Sequence, residues 1–268
     1  MYKLVVLDMD GTLLNSQKEI TSKVHEAITA AKQRGVKVVL ASGRPLEGML
    51  PTLQALGLTT EEDYVLTYNA SLTLNVASRA VIRSELLNGQ DAIDIFHLSN
   101  QLGVNTHAYS AKSGLITPKI SKYTEHEANI NGIEINIRDF TQLDPAEEMI
   151  KIMMIDEAAT LTAAINQLPE SLQQKYNMAQ SAPFFYEFMS KNSGKAKGVA
   201  ALAEHLGLTH EQVICVGDAG NDLGMIEYAG LGVAMSNATD DVKAVADYIT
   251  LSNDEDGVAH VFEKFILV

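Results

Sequence analysis

Cysteine is nearly absent from this 268-residue chain, and tryptophan is missing altogether. Cys215 stands alone, so no intrachain disulfide can form, and the expected compartment is the reducing cytoplasm. It lies in the apolar run Val213–Val216, where a thiol serves as a small core residue rather than a nucleophile. Positive charge is scarce too: 20 Lys and Arg stand against 34 Asp and Glu, a formal net charge of −14. That balance argues against nucleic acid as a partner, because phosphate backbones are bound by basic faces. It leaves room for a small anionic substrate, since a metal or a few local cations reverse the sign at one site. No apolar stretch approaches the roughly 20 residues that span a bilayer, so no membrane partner is expected. The short run before Asp8 does not have the form of a signal peptide. Low-complexity segments and internal repeats are also lacking. What remains is an ordinary apolar fraction, 46%, in a chain long enough for two modest domains.

The first third alternates strand and helix patterns. Leu4–Leu7 reads as a short buried strand, and Val24, Ala27, Ile28 and Ala31 follow helical spacing from a start near Thr21 to a stop at Gly35. A second strand is expected over Val36–Ala41, a helix over Pro45–Leu56, and a third strand over Tyr64–Thr67. The rhythm returns late in the chain. A helix stripe at Val199, Leu202, Ala203 and Leu206 precedes strands at Val213–Val216, Leu231–Ala234 and Tyr248–Thr250, with helices between and after them. Apolar strands separated by helices imply βαβ units and a parallel sheet, so the core is expected to be α/β and Rossmann-like, with helices on both faces. The middle differs, because Ile133, Ile135 and Ile137 alternate with polar residues. It reads as an inserted α+β domain over residues 85–188, splitting a core made of 1–84 and 189–268.

In open parallel sheets, ligands bind beyond the carboxyl ends of the strands, so chemistry should collect there. After the first strand stands Asp8-Met9-Asp10-Gly11-Thr12. After the second stands Ser42-Gly43-Arg44, and after Val213–Val216 comes Gly217-Asp218-Ala219-Gly220-Asn221-Asp222. Lys195 opens the helix that precedes this last strand. Each motif alone has a structural reading, as an acidic turn, a capped helix start or a surface lysine. An EF-hand loop from Asp8 to Glu19 is excluded, because its sixth position is Leu13 where the turn needs glycine, and a strand rather than a helix leads into it.

Taken together the motifs suit phosphate chemistry. A hard cation such as Mg²⁺ takes oxygen ligands, which Asp8, Asp218 and a carbonyl near Asp10 would supply. The Asp8 carboxylate would attack phosphorus, and Asp10 would protonate the leaving oxygen and then deprotonate water. Ser42 and the amides around Gly11 and Gly43 would hold phosphate oxygens, with Lys195 as a fixed positive charge. The scattered histidines show no zinc-type spacing. Lys119, Lys122 and Tyr123 fit a solvated helix face better than a second phosphate site, and Met153 and Met154 fit a domain core.

"DMDGT", "ASGR", the lysine of "GKAKG" and "GDAGND" resemble the four motifs of the haloacid dehalogenase (HAD) superfamily. An insertion between the second and third motifs resembles the type with a C2 cap. "TYNAS", "GVAMSNA", "ADYIT" and "NDEDGVA" resemble the Cof-type phosphatases, in particular the YidA-like sugar phosphatases. The resemblance implies a Mg²⁺-dependent phosphatase acting on small phosphorylated metabolites, monomeric or homodimeric. It implies Asp8 as nucleophile and metal ligand, Asp10 as acid/base and ligand through its carbonyl, and Asp218 as the third ligand. Ser42 and Lys195 would bind the phosphoryl group. Asn221 and Asp222 would support the metal and the lysine, while Arg44 and Asn69 would face the substrate. Ala196 stands where family members carry glycine, and Lys197 follows it directly before Gly198. Counting back from the helix "GVAALAEHLGL" favours Lys195 over Lys197. Ala70 likewise replaces the usual glycine after Asn69. The rival readings are a phosphomutase and a non-catalytic phospho-acceptor module.

Overall fold

Leu4–Leu7 forms β1, and all four side chains are buried, two against each face of a sheet. In the computed structural model, which describes residues 1–268, the chain continues with α1 (Ser22–Gln33), β2 (Lys37–Ala41), α2 (Leu46–Ala55), β3 (Tyr64–Thr67), β4 (Leu72–Asn75) and β5 (Val81–Ser84). A second run of elements follows: β6 (Leu87–Asn88), α3 (Gly89–Leu102), β7 (Asn105–Ser110), β8 (Gly114–Thr117), α4 (Lys122–Asn131), β9 (Ile135–Ile137) and β10 (Glu148–Ile155). It ends with α5 (Ala158–Ile165), α6 (Leu172–Lys175), β11 (Tyr176–Ala182) and β12 (Phe185–Ser190). The chain closes with α7 (Lys195–His205), β13 (Val213–Gly217), α8 (Leu223–Tyr228), β14 (Leu231–Ala234), α9 (Asp240–Val245), β15 (Tyr248–Ile249) and α10 (Gly257–Phe265). Two units result, one of Met1–Ser84 with Gly194–Val268 and one of Glu85–Ser193.

The first unit is built on one sheet of order β15-β14-β13-β1-β2-β3-β4-β5. The strands from β15 to β3 run parallel, and β4 and β5 extend the sheet antiparallel. Val5, Leu7, Ile214 and Val216 join α1, α2 and α10 in one apolar cluster. Leu4, Val6, Val39 and Cys215 join α7 and α8 on the opposite face. Helices on both faces explain why these strands are continuous apolar runs rather than alternating ones. Thr21 caps α1 by accepting the Val24 amide, and the helix buries Val24, Ala27, Ile28 and Ala31. The antiparallel edge was not legible from the sequence, because Val81–Ser84 is largely exposed and carries little periodic signal.

The inserted unit has its own sheet, β11-β12-β10-β7-β8-β9, with β6 pairing on β10. Ala92 and Ile95 of α3 and Leu161 and Ala164 of α5 pack with Ala108, Ile152, Met154 and Phe188. Met153 is buried as well. The unit runs to Ser193 rather than to the expected residue 188, because β12 continues to Ser190 and pairs with both β10 and β11. The periodicity at Ile135 and Ile137 marks a strand, but Ile137 is 66% exposed because β9 is the sheet's edge. Lys122 pairs with Glu157, and the Tyr123 hydroxyl donates to the same carboxylate at 2.8 Å, so this helix start is a solvated ion-paired surface.

Candidate active site

β1 lies between β13 and β2, so the loops after these three strands emerge side by side. Asp8 directly follows β1, Ser42 directly follows β2, and Asp218 directly follows β13. Lys195 reaches the same place from the first turn of α7. Its approach depends on Gly198, one turn further along. A Cβ there would stand 2.4 Å from the Ala70 Cβ and 2.9 Å from Leu66 Cδ2, so only glycine lets α7 settle this deeply on β3 and its loop. Lys195 is 1% exposed as a result.

A buried lysine is tolerable only with partners. Lys195 Nζ donates to Asp8 Oδ1 and, at 2.6 Å, to Asp222 Oδ1. Asp222 Oδ2 accepts the amides of Asp218 and Ala219 at 3.0 and 3.1 Å, so its carboxylate is fully engaged in holding the lysine and the loop. Burial pushes the Asp8 carboxyl up, to about 8, against the pull of Lys195 and with the help of the Asp222 and Asp218 charges. Burial works against the Lys195 ammonium, but Asp222 and Asp8 together hold its proton more tightly than usual. Burial also raises Asp218, although the Thr12 hydroxyl donates to its Oδ1 at 2.6 Å.

Asp10 has a different environment. Arg44 grips its carboxylate with two bonds, Nε to Oδ2 at 2.9 Å and Nη2 to Oδ1 at 2.7 Å, and Lys18 Nζ adds a third at 2.8 Å. Burial alone would raise this carboxyl, yet the bonds from Arg44 and Lys18 outweigh it and hold it below the usual range. Two neighbouring aspartates are thus driven in opposite directions. Ser42 is buried and its Oγ accepts the Arg44 amide at 3.2 Å, which leaves the hydroxyl proton for another acceptor. Tyr68, Asn69 and Ala70 all have left-handed backbones, with φ of 51°, 54° and 62°. This costly turn is held by the Asn69 amide on Ser42 O at 2.8 Å, and it presents Asn69 Oδ1 to Asn221 Nδ2 at 3.0 Å.

The residues singled out in the sequence therefore gather in the first unit: Asp8, Lys195, Asp222 and Asp218 in one cluster, and Asp10 with Arg44 beside it. Gly11 touches Asp218, and Gly43 lies against Asn69. Arg44 is engaged on Asp10, and Lys197 is exposed where Lys195 is buried. Sequence reasoning missed Thr12 and Lys18. Thr12 sits inside "DMDGT" but shows its purpose only through Asp218, and Lys18 looks like any surface lysine until a turn at Asn15–Lys18 folds it back.

Oxygen atoms of Asp8, Asp218 and Asp222 lie within 4.8 Å of one another, as a divalent cation site requires. Both Asp222 oxygens are occupied by donors, whereas Oδ2 of Asp8 and of Asp218 has no protein donor. Three buried or half-buried acids against one lysine also leave uncompensated negative charge, so the donor set fits a hard cation held by Asp8 and Asp218 with Asp222 behind them.

The family pattern of haloacid dehalogenase-like hydrolases matches residues 5–262. YxeH of Bacillus subtilis, provisionally named a phosphatase, is 40% identical over 100% of this chain and 99% of that protein. The B. subtilis 5-amino-6-(5-phospho-D-ribitylamino)uracil phosphatase YcsE is 31% identical over 99% of this chain and 96% of its own length. Among solved structures, a haloacid dehalogenase-like hydrolase from Bacteroides thetaiotaomicron superposes with a TM-score of 0.87 at 36% identity, covering 98% of this chain and 99% of that one. The chain belongs to the haloacid dehalogenase-like hydrolases. Within them it is an enzyme of the phosphatase type, acting on phosphoric monoesters.

Proposed function

We propose that this chain is a cytoplasmic, Mg²⁺-dependent phosphatase of small phosphorylated metabolites, sugar phosphates first among them, working through an aspartyl-phosphate on Asp8. The observation that carries the reading is the contrast between the two acids. Asp8 is buried and held by Lys195 through one oxygen, with its second oxygen without a protein donor, while Asp10 sits two residues on in the grip of half-buried Arg44 and exposed Lys18. A sugar-phosphate substrate is further supported by a fold likeness to a HAD subclass IIB sugar phosphatase (24% identity, TM-score 0.82, 99% of this chain and 100% of that one).

In this reading Asp8 Oδ2 attacks phosphorus, an Asp8–phosphorus bond forms and the ester P–O bond breaks. Asp10, ionised while Arg44 and Lys18 hold it, must leave those bonds and take a proton from solvent as substrate enters; the leaving oxygen then takes that proton from Asp10. Water then attacks phosphorus, Asp10 takes a proton from it, and the Asp8–phosphorus bond breaks to release phosphate and restore the carboxylate. Lys195 balances negative charge on the phosphoryl oxygens, and Ser42 donates its hydroxyl proton to one of them. When bound by Asp8, Asp218 and the Asp10 carbonyl, Mg²⁺ neutralises the carboxylates and the phosphoryl charge. Asp222 keeps Lys195 aimed at Asp8, and Arg44 and Lys18 keep Asp10 to the side until substrate enters.

The test is phosphate release from p-nitrophenyl phosphate and a panel of phosphorylated metabolites with Mg²⁺. Turnover by wild type and none by Asp8→Asn is expected; full activity in Asp8→Asn would overturn the assignment. Glucose 1-phosphate separates hydrolysis, which yields free phosphate, from a mutase, which yields glucose 6-phosphate.

A further inference from the structure

Residues 11–20 follow the acid-bearing loop. Leu13 and Leu14 are buried in the core, and their amides donate to Asp8 O and Met9 O at 3.2 and 2.9 Å, while Asn15 closes a turn beyond them. A third segment, from β14 to the start of α10, supplies the polar anchors on the outer side. Asn237 Nδ2 donates to Gly11 O at 2.8 Å, and Asn237 Oδ1 accepts the Asn253 amide at 3.1 Å. Asn253 Nδ2 donates to Leu14 O at 2.9 Å. Asp254 accepts the Ser16 amide at 2.8 Å and its hydroxyl at 2.5 Å, and Asp256 accepts the Thr21 hydroxyl at 2.5 Å. The same segment also reaches the loop after β13, where the Thr239 amide donates to Asp218 O at 3.0 Å.

These bonds close a ring. Asn237 holds Gly11 O; the peptide that carries this oxygen is planar and continues into Thr12; the Thr12 hydroxyl holds Asp218 Oδ1; and Asp218 O returns to Thr239, two residues from Asn237. Pinning the Gly11 carbonyl therefore pins the plane from which Thr12 reaches Asp218. Asn237 is exposed and its side chain bonds to Gly11 and Asn253 rather than to Asp8, Asp10 or Lys195, so core packing does not account for it.

We propose that Asn237, with Asn253 behind it, is a positioning residue that sets the Asp8–Asp10 loop against Asp218. The proposal rests on the phosphatase reading above. Its test compares wild type with Asn237→Asp, which keeps the acceptor for Asn253 but removes the donor to Gly11, with Asn237→Ala, and with Asn253→Ala. Steady-state hydrolysis of p-nitrophenyl phosphate with Mg²⁺ is read beside amide hydrogen exchange. Both Asn237 variants should lose roughly 10-fold or more in kcat with KM within about 2-fold, since sub-ångström misplacement of reacting groups acts on the chemical step. Asn253→Ala should lose less, with KM equally unchanged. Exchange should quicken at residues 11–20 while α1 and α10 stay protected. Wild-type kcat in Asn237→Asp would overturn the proposal, as would exchange that quickens across α1 and α10 alike, which marks a loss of overall stability. Should an Asn237 variant fail to fold, Asn253→Ala decides by the same split between kcat and KM. A wild type inactive on every phosphoester would sink the phosphatase reading instead, and the exchange arm would still judge the ring.

Discussion

Replacing Gly11 by alanine puts a methyl where Asp218 already lies. The added Cβ would stand 2.5 Å from Asp218 Oδ2, against the 3.4 Å or more of ordinary contact, so the carboxylate must retreat by about 0.9 Å. Thr12 holds that carboxylate at 2.6 Å and resists the retreat. A displacement near 1 Å at a reacting centre costs on the order of 10²-fold in rate, and that is the expected fall in kcat on p-nitrophenyl phosphate. The substitution also strains the backbone, because Gly11 has a φ of +89°. Strain of about 1 kcal/mol and overpacking of about 1–3 kcal/mol together lower the melting temperature by roughly 2–4 °C per kcal/mol. The control is Gly35→Ala, at a φ of +78° with nothing within 4 Å of the added methyl. It should lose about 1 kcal/mol of stability and keep wild-type kcat. The difference between the two variants isolates the clash with Asp218. A Gly11→Ala enzyme with kcat within twofold of wild type would refute the reasoning, because the site would then tolerate a displaced Asp218.

Other outcomes follow from the two aspartates. The Asp8 carboxyl moves from an ordinary 3.8 to about 8 on folding without a cation, so the folded chain holds an extra proton between those values. Its contribution to stability is full below about pH 4 and is lost as pH rises through 8. In chelator, the melting temperature of wild type should therefore fall between about pH 5 and 8.5 relative to Asp8→Asn; parallel curves would contradict this. Mg²⁺ at about 100 times its dissociation constant should restore roughly 2.7 kcal/mol at the alkaline end, with the gain abolished in Asp8→Asn and thermal unfolding as the readout. Asp10 is lowered chiefly because Arg44 and Lys18 outweigh burial, so removing a cation raises it. Arg44→Ala should shift the Asp10 limb of the kcat/KM profile to higher pH, and an unmoved limb would show that Asp10 is not the titrating acid.

Much of the core was legible because its signals are local. The runs at Leu4–Leu7, Tyr64–Thr67 and Leu231–Ala234 coincide with β1, β3 and β14, since a strand buried on both faces reads as a near-continuous apolar run. An exposed or half-exposed strand left no such trace, and β5 is the example. The inserted unit also buries polar groups, which defeats a reading by apolar periodicity. Lys151 lies 2.9 Å from Glu187 Oε1, and the Tyr109 hydroxyl donates to Glu127 at 2.6 Å, all within strands and a helix that sequence alone marks only in part.

The sequence by itself determined which residues stand at the carboxyl ends of the core strands, because that depends on chain-local pattern and on the rule that ligands gather there. It separated Asp8 and Asp10 from a calcium loop and placed Lys195 at a helix start. Only the tertiary structure decided what each group touches. Thr12 and Asp218 are 206 positions apart, and Gly11 and Asn237 are 226 apart, so no local pattern links them. Their meeting follows from strand order, which sets β13 beside β1, and from hydrogen bonds that buried or constrained polar groups must find wherever the fold brings a partner.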